Sequence, residues 1–324
     1  GMTTPCLLIG DIGGTNARFA LADPDVPGFS NVLELKCADF PTADDAIGHY
    51  LDAMKAGTPD AVCLAAAGPV VDEHVRITNN HWDISVAETR ADFSVGPVRL
   101  LNDFAAIAYS IPFLGVDDSF NIGPHEKRLL PLESFNIAIL GPGTGLGVAG
   151  LVRRGDTLVP ITGEGGHAGF APETPLQTQI LTVLSEEYER VSAERLVAGS
   201  GLENIYRALL TIRSEKGKSL TAPQIFAARE SDIIAAEAID VFFEILGQVA
   251  GDLALTLGAE DGVYIAGGIA KRYPELLQIS RFRSAFESKG RHRNIMERIP
   301  TRLITHGQPG LLGAAYCVLE LASS

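Results

Sequence analysis

The sequence predicts an α/β protein built from two related halves, and three observations carry this prediction. A continuous apolar run at residues 61–67 and a short predicted strand at 98–101, typical of buried strands in a parallel sheet, alternate with segments of helical periodicity. Two glycine-rich turns, at residues 10–16 and 141–145, each join two apolar runs and resemble each other. A chain of 324 residues is long enough for two domains. Alternating strands and helices build layered sheets, whose ligands bind beyond the strand ends.

The first turn gives the clearest indication of a ligand. An apolar run at residues 7–9 leads into it and a second run at residues 19–22 follows, which predicts two strands joined by a turn. Its glycines let the backbone approach a phosphate and direct N–H groups at it. One residue past the first predicted strand, Asp11 is suited to hold the water shell of Mg²⁺. The pattern also fits a tight hairpin with a capping Asp and no ligand. The segment comprises Gly10, Asp11, Ile12, Gly13, Gly14, Thr15 and Asn16.

Between the two turns, short apolar runs alternate with two helical segments. Residues 44–55 have helical spacing and end before Gly57 and Pro59, which stop a helix. Residues 79–83 form a polar cluster around the only tryptophan of the chain. The predicted elements are strands at residues 32–37, 61–67, 74–78 and 98–101 and helices at residues 44–55 and 105–111.

The second turn joins predicted strands at residues 136–140 and 146–152. Its likeness to the first turn indicates an internal duplication, in which each half opens with a phosphate-type hairpin. Asp11 has no counterpart because Pro142 holds that place. Two such hairpins are suited to grip one polyphosphate, with the metal held from the first half alone. The candidate phosphate-binding residues of this turn are Gly143, Thr144 and Gly145.

The chain after the second turn is predicted to be mainly helical. A glycine-rich loop at residues 163–169 precedes the first of these helices. The longest helix, at residues 233–257, is almost entirely apolar and is expected in the core or in a subunit contact. The remaining elements are helices at residues 175–188, 193–197, 202–212, near 273–279 and at 309–321, and strands at 262–266 and 302–305.

The composition excludes some classes of partner. Hydrophobic residues make up 46% of the chain and charged residues 20%, which is ordinary for a globular protein with a core. The formal net charge is −14, whereas nucleic-acid and membrane-surface binding need a basic face, so we expect neither partner. The four cysteines show no metal-ligand spacing, which indicates free thiols in a reducing cytoplasm. No apolar run has the length of a membrane helix, and no secretory signal is found.

Six motifs in one order resemble the bacterial glucokinase family, the ATP-dependent type within the sugar kinase/actin/Hsp70 superfamily. They are GDIGGTNAR at residues 10–18, LNDF at 101–104, GPGTGLG at 141–147, GEGGH at 163–167, SAER at 192–195 and IAGGI at 265–269. Each motif alone is weak evidence for the family, but all six occur in the family's order and together span nearly the whole chain. The ROK branch carries a zinc-binding CxCGxxGC cluster that this sequence lacks, so the chain resembles the branch without zinc.

The resemblance implies a duplicated ribonuclease H-like, or actin-like ATPase, fold with two domains flanking an active-site cleft. The small α/β domain would comprise residues 2–113 plus about 306–324, and the large α/β domain residues 114–305. The implied reaction transfers the γ-phosphoryl group of ATP, used with Mg²⁺, to the 6-hydroxyl of glucose. The family is commonly a homodimer, and the expected location is the cytoplasm.

The resemblance also assigns a catalytic residue. Asp103 matches the family's general base, which accepts the proton of the sugar hydroxyl as the new bond forms. From the residues alone, Asp103 also fits a helix N-cap that follows a strand. The two roles are compatible, because a helix N-terminus keeps a carboxylate ionised.

Other positions match the family's binding residues. Besides Asp103, the sugar-contacting positions are matched by Asn102, Glu164, His167 and Glu194. Carboxylate, amide and imidazole groups suit a ring of hydroxyls, each of which donates and accepts. From spacing alone, Glu194 also fits an exposed acid in a first helical turn and His167 a structural loop histidine. The two glycine-rich turns match the phosphate segments. The adenosine segment is matched by Gly267 and Gly268, where missing side chains make room for base and ribose, although a plain strand-to-helix turn also fits.

Three other functions stay open at this point. A kinase for mannose, fructose or an N-acetyl amino sugar would use the same machinery. A sugar-sensing transcriptional regulator is disfavoured, because the first predicted strand starts at residue 7 without a preceding helix-turn-helix and the charge is acidic. An actin-like filament protein would hydrolyse ATP without sugar, and Asp103 together with the GEGGH loop argues against it.

Overall fold

A computed structural model of the protein describes residues 4–125 and 130–324. The described chain divides into two compact units. Unit 1 contains the described residues up to Val116 together with His306–Ser324, and unit 2 contains those of Asp117–Thr305. The expected start of the small domain at residue 2 lies outside the described residues. Within the described ranges, no helix has the length and apolar character needed to cross a membrane.

Unit 1 is built on a five-stranded sheet. In chain order its first segment contains β1 (Leu7–Ile12), β2 (Asn16–Ala22), β3 (Phe29–Lys36), α1 (Ala43–Met54), β4 (Ala61–Ala66), β5 (Val70–Val71), β6 (His74–Arg76), β7 (Asp83–Ser85), α2 (Val86–Phe93), β8 (Val98–Asn102) and α3 (Asp103–Ser110). The main sheet has the order β3-β2-β1-β4-β8, and β5, β6 and β7 form a small sheet of their own. Every residue of β4 is buried, as its run of small apolar residues predicts.

Unit 2 carries a six-stranded sheet and most of the helices. Its elements are β9 (Ser119–Ile122), β10 (Ser134–Pro142), β11 (Leu146–Arg154), β12 (Thr157–Thr162), α4 (Pro175–Glu187), α5 (Gly199–Ile212), α6 (Ala222–Ala227), α7 (Ile233–Leu257), β13 (Val263–Ile265), α8 (Gly268–Arg272), α9 (Pro274–Ile279), α10 (Phe282–Glu287), α11 (Arg293–Arg298) and β14 (Thr301–Ile304). The sheet order is β12-β11-β10-β13-β14-β9. The closing helix, α12 (Pro309–Ser323), belongs to unit 1 and contacts α3, β1 and β4.

The two sheets confirm the predicted duplication. In each, an antiparallel hairpin (β1–β2 and β10–β11) pairs through its first strand with a parallel strand (β4 and β13). The last paired residues before the turns are Ile12 and Pro142. The counterpart of Asp11 is therefore Gly141, and the predicted match to Pro142 is wrong by one residue, because the first turn is one residue longer. The second hairpin still carries no carboxylate at this place.

Two predicted boundaries need correction. β1 runs through Gly10 as far as Ile12, so Asp11 lies inside the strand and not past its end. The helix predicted at residues 193–197 is only a 3-10 turn at Ala193–Arg195, because the backbone becomes extended at Ala198, immediately before α5 begins.

The long apolar helix α7 is part of the core of unit 2. It spans the predicted residues, begins where the carboxylate of Asp232 accepts the N–H groups of Ile234 and Ala235, and packs against α5 and α10. A Cβ atom on Gly247 would collide with the carbonyl oxygen of Phe282 in α10, so this glycine permits the close approach of the two helices. Burial of α7 within its own unit accounts for its apolar sequence.

Candidate active site

The first glycine-rich turn closes on itself between β1 and β2. The N–H of Gly13 donates to the carbonyl oxygen of Asn16 at 2.9 Å, and the carbonyl oxygen of Thr15 accepts the N–H of Cys37 at 2.9 Å. In the part of the chain that the structure describes, the N–H groups of Gly14 and Thr15 donate to no other group. Two unpartnered N–H groups on consecutive residues are the donor set that binds a phosphate oxygen.

The Asp11 carboxylate belongs to the last residue but one of β1, in unit 1. It packs against Gly310 in the first turn of α12, where a Cβ atom would lie 2.7 Å from Oδ2. Burial raises the pKa of Asp11 to about 6, and the charge of Arg18 opposes part of that rise. At neutral pH the carboxylate is mostly ionised. Mg²⁺ is usually held by one or two carboxylates together with water and substrate phosphates, so Asp11 is the residue of this segment that could hold it.

Asn102 and Asp103 lie at the junction of β8 and α3. The Asn102 Oδ1 accepts the N–H of Phe104 at 3.0 Å, and its Nδ2 donates to the carbonyl oxygen of Gly68 at 2.9 Å. Asn102 is therefore the helix cap, and the alternative that gave this role to Asp103 is wrong. Asp103 is the first residue of α3, with Oδ1 3.0 Å from the same N–H. The positive end of the helix dipole favours its ionised form.

In unit 2, Glu194 connects the second hairpin to the glycine-rich loop at residues 163–169, which is named the sugar-type loop because its residues match the family's sugar-contacting motif. Its Oε1 accepts the N–H of Leu146 at 2.8 Å, and its carboxylate fills the space where a Cβ atom on Gly145 would lie. The Glu194 side chain is only 28% exposed, so the alternative of an exposed helical acid is wrong. Its Oε2 lies 3.7 Å from Nε2 of His167. The second hairpin also contacts α5, because the carbonyl oxygen of Gly143 accepts the N–H of Gly199 at 2.8 Å.

The loop that carries Glu164 and His167 is fixed from its far side. The backbone N–H of Ala193 donates to the carbonyl oxygen of Ala168 at 2.8 Å, and Nη1 of Arg190 donates to the carbonyl oxygen of His167 at 2.6 Å. The side chains of Glu164 and His167 remain exposed. The backbone of this loop is thus held in place, and these two side chains are left accessible to a ligand.

Gly267 and Gly268 differ in what their missing side chains allow. Gly267 has a φ of 91°, and a Cβ atom there would lie 2.6 Å from the carbonyl oxygen of Pro142. Its missing side chain makes room for the neighbouring strand, which corrects the interpretation that it makes room for a base and ribose. No atom lies within 4 Å of a Cβ atom on Gly268, so the space there is open.

The comparisons with known proteins bear on all of these segments at once. The family model described as glucokinase matches residues 8–321. A glucokinase of Nitrobacter hamburgensis is 41% identical over 320 residues, which cover 98% of each chain. This chain belongs to the glucokinase family. The predicted family is therefore confirmed, and with it an ATP-dependent phosphotransferase of the hexokinase type.

Solved structures agree with the glucokinase fold. A glucokinase from an Antarctic psychrotroph aligns with a TM-score of 0.90 at 35% identity and covers 100% of both chains. A ROK family glucokinase from Streptomyces griseus, solved with glucose and AMPPNP, aligns with a TM-score of 0.61 at 20% identity and covers 96% of this chain and 98% of that one. The second likeness shows the fold alone, and together they confirm the predicted actin-like ATPase fold.

Sequence reasoning missed several residues that hold the glucokinase segments in place. Arg190 and Gly199 anchor the sugar-type loop and the second hairpin, and no motif pointed to them. Asn80 contacts the first turn and lies in the polar cluster around Trp82, which was a signal without an interpretation. Backbone carbonyl contacts of this kind leave no characteristic spacing in a sequence.

Proposed function

We propose that this protein transfers the γ-phosphoryl group of ATP to the 6-hydroxyl of glucose, giving glucose 6-phosphate and ADP. The observation that carries the proposal is the placement of Asp103. In a chain of the glucokinase family, a carboxylate occupies the first position of α3, at the positive end of the helix dipole. The side chain of its neighbour Asn102, the last residue of β8, is fixed by two hydrogen bonds, which hold the backbone next to Asp103 in place.

Asp103 acts as the general base of this reaction. As the 6-oxygen of glucose bonds to the γ-phosphorus, the bond from that phosphorus to the bridging oxygen of ADP breaks, and the hydroxyl proton passes to an Asp103 oxygen. Asp103 is suited to this step because a sugar hydroxyl is a poor nucleophile until its proton is accepted.

The proposed sugar contacts are the positions that match the family's sugar-contacting residues, Asn102, Asp103, Glu164, His167 and Glu194. Asn102 keeps one N–H and one lone pair beyond its two hydrogen bonds, which suits one sugar hydroxyl. A site of fixed polar groups rejects analogues that leave those groups unpaired, which favours one hexose over its epimers.

The proposed ATP-binding segments are the glycine-rich turn around Gly14, the hairpin around Gly143 and Gly145, and the open space at Gly268. The N–H groups of Gly14 and Thr15 donate hydrogen bonds to phosphate oxygens. The hairpin around Gly143 and Gly145 is the second phosphate-binding segment. Asp11 would hold Mg²⁺ through water, and the bound cation would neutralise charge on the phosphate oxygens.

We further propose that the enzyme works as a homodimer in the cytoplasm, as is common in the family. Sedimentation velocity at micromolar concentration tests the dimer, and a single species at the monomer mass contradicts it.

The kinase proposal is tested by coupled ADP release with MgATP and a panel of glucose, mannose, fructose and N-acetylglucosamine. We expect glucose to give the highest kcat/KM. In Asp103→Asn, kcat falls roughly 10²- to 10⁴-fold, while calorimetry shows that glucose still binds. Asp25→Asn, at an exposed carboxylate of the same unit, serves as the matched control and keeps full activity.

Each other outcome identifies a different function. If a hexose other than glucose is the only sugar that is phosphorylated, the proposed substrate is wrong and the proposed mechanism is kept. Tight sugar binding without sugar-dependent ADP release overturns the kinase proposal and favours a sugar sensor.

A further inference from the structure

A loop that the proposed reaction leaves unused lies beside the first glycine-rich turn. It connects β6 to β7 and contains the polar cluster around Trp82. The N–H of Thr78 donates to the carbonyl oxygen of Ala67 at 3.0 Å, which fixes the loop to the end of β4. A Cβ atom on Gly14 would lie 3.0 Å from the carbonyl oxygen of Thr78, so turn and loop are in close contact.

Asn80 forms the polar connection between this loop and the turn. Its Nδ2 donates to the carbonyl oxygens of Gly14 at 3.1 Å and of Gly13 at 3.4 Å. Its Oδ1 accepts the backbone N–H of Trp82 at 2.9 Å. An N–H can only donate and a carbonyl can only accept, so the orientation of the Asn80 amide is determined by these partners.

Trp82 fixes Asn80 in turn. Its indole is fully buried and Nε1 donates to the carbonyl oxygen of Phe40 at 3.0 Å. The backbone N–H that holds Asn80 therefore belongs to one of the most firmly packed residues of unit 1. The amide of Asn80 is a preset donor aimed at two consecutive carbonyl groups.

The consequence follows from the geometry of the peptide bond. In a trans peptide the carbonyl group and the following N–H point in opposite directions. Asn80 holds the carbonyl groups of Gly13 and Gly14 on one side of the turn, so the N–H groups of Gly14 and Thr15 face the other side. These are the two N–H groups without a partner among the described residues.

Glycine makes such an external restraint necessary. Gly13 and Gly14 have no Cβ atom, so their backbone reaches many conformations and both adjoining peptides can rotate. A rotated peptide would turn a carbonyl oxygen toward the phosphates, which repel it. A side-chain amide that binds two carbonyl groups at once selects the one arrangement that attracts an anion.

We propose that Asn80 is a positioning residue of the nucleotide site, which presets the glycine-rich turn with its N–H groups toward the polyphosphate of ATP. The role rests on the proposed function, because it assumes that this turn binds phosphate. It touches no reacting atom itself. It lowers the entropy that ATP binding would otherwise cost in ordering two glycines.

The proposal is tested by calorimetric affinities of ATP, adenosine and glucose. In Asn80→Ala we expect the Kd for ATP to rise roughly 10- to 100-fold, since two hydrogen bonds are lost. Asn80→Asp keeps the acceptor for the N–H of Trp82 but places a carboxylate against two carbonyl groups. We therefore expect it to weaken ATP binding at least as much as Asn80→Ala. The affinities for adenosine and for glucose stay unchanged, because neither ligand carries a phosphate.

The matched control is His81→Ala in the same loop. His81 bonds to the carbonyl oxygen of Phe40 at 2.9 Å and does not contact the turn, so ATP affinity is expected to stay the same. Trp82 supplies a spectroscopic signature, because it is the only tryptophan of the chain and bonds directly to Asn80. Saturating ATP changes its emission in the wild type, and that change is lost in Asn80→Ala.

Three results would overturn this role. If both Asn80 variants keep the ATP affinity and the thermal midpoint of the wild type, Asn80 does not position the turn, and the proposed kinase function is unaffected. Equal loss of ATP and adenosine shows a general structural defect and also contradicts it. A wild type that binds no ATP overturns the nucleotide site as a whole. If Asn80→Ala does not fold, Asn80→Asp carries the test, because it retains the bond to Trp82.

Discussion

Asp11 illustrates how a buried carboxylate lowers stability at neutral pH. Burial raises its pKa from the ordinary 3.8 to about 6, so the folded protein binds this proton more tightly than the unfolded chain does. The contribution of Asp11 to stability is therefore most favourable below pH 3.8, declines between pH 3.8 and about 6, and stays low above that. In Asp11→Asn this cost disappears, and the free energy of unfolding at pH 8 rises by roughly 3 kcal/mol.

Urea unfolding of wild type and Asp11→Asn at pH 4 and pH 8 measures this effect. The variant is expected to gain stability at pH 8 and little at pH 4, and to bind MgATP more weakly than the wild type at pH 8. A stability gain of equal size at both pH values would show that the ionised carboxylate is not the cause.

Glu194 has two carboxylate oxygens with different tasks. Oε1 accepts the N–H of Leu146 in the second hairpin, and Oε2 faces His167 in the sugar-type loop. Glu194→Gln retains an oxygen for Leu146 and loses the charged acceptor for sugar, so we expect the KM for glucose to rise roughly tenfold with the KM for ATP unchanged. Glu194→Ala loses both contacts and raises both KM values. Steady-state kinetics with each substrate varied separates the two, and equal effects of both variants on ATP would contradict this division.

Two helical glycines with opposite surroundings test the packing of single elements. In α7, Gly247→Ala places a Cβ atom against the carbonyl oxygen of Phe282, so the gain in helix propensity is overridden and stability falls by about 1 to 3 kcal/mol. In α1, Gly48 has no atom within 4 Å of a Cβ atom, and Gly48→Ala is expected to add about 0.5 to 1 kcal/mol. Denaturant unfolding of both variants gives the two signs, and stabilisation by Gly247→Ala would show that α10 does not restrain α7.

The elements found from sequence are those whose own residues specify them. α7 has the predicted bounds because 25 residues of apolar periodicity need no outside information. β9 was missed because its four residues, Ser119–Ile122, become a strand only through pairing with β14. β12 was also missed. It contains Pro160 and the exposed Val159, and among the described residues it pairs with β11 at the edge of the sheet. Helices of six residues such as α6 and α11 are too short to show a period.

The candidate site divides in the same way. The glycine-rich turns and the junction at Asp103 are local motifs, and sequence located them. The hydrogen bond from Asn102 to Gly68, the packing of Asp11 against Gly310 and the hydrogen bond from Asn80 to Gly14 all join segments that are distant along the chain. Such contacts depend on the tertiary fold, and the sequence around one partner does not specify which distant residue it meets.

At the scale of the whole molecule, the negative net charge of the chain affects the binding of MgATP but not that of glucose. The formal net charge is −14, and MgATP is an anion, whereas glucose is neutral. Long-range repulsion lowers the local concentration of MgATP, and salt screens it, with a Debye length that falls from roughly 20 Å near 20 mM to roughly 7 Å near 200 mM. We expect the KM for MgATP to fall about twofold over this range while the KM for glucose stays constant.

The KM is measured over the same series of MgATP concentrations at each salt concentration, with free Mg²⁺ held constant, because salt also weakens the binding of Mg²⁺ to ATP. The neutral substrate is the internal control, since any general effect of salt on the fold would change both KM values together. A KM for MgATP that rises with salt would mean that cations and N–H dipoles at the site outweigh the net charge. In that case local donors such as the N–H groups of Gly14 and Thr15, and not the charge of the whole chain, govern how ATP is captured.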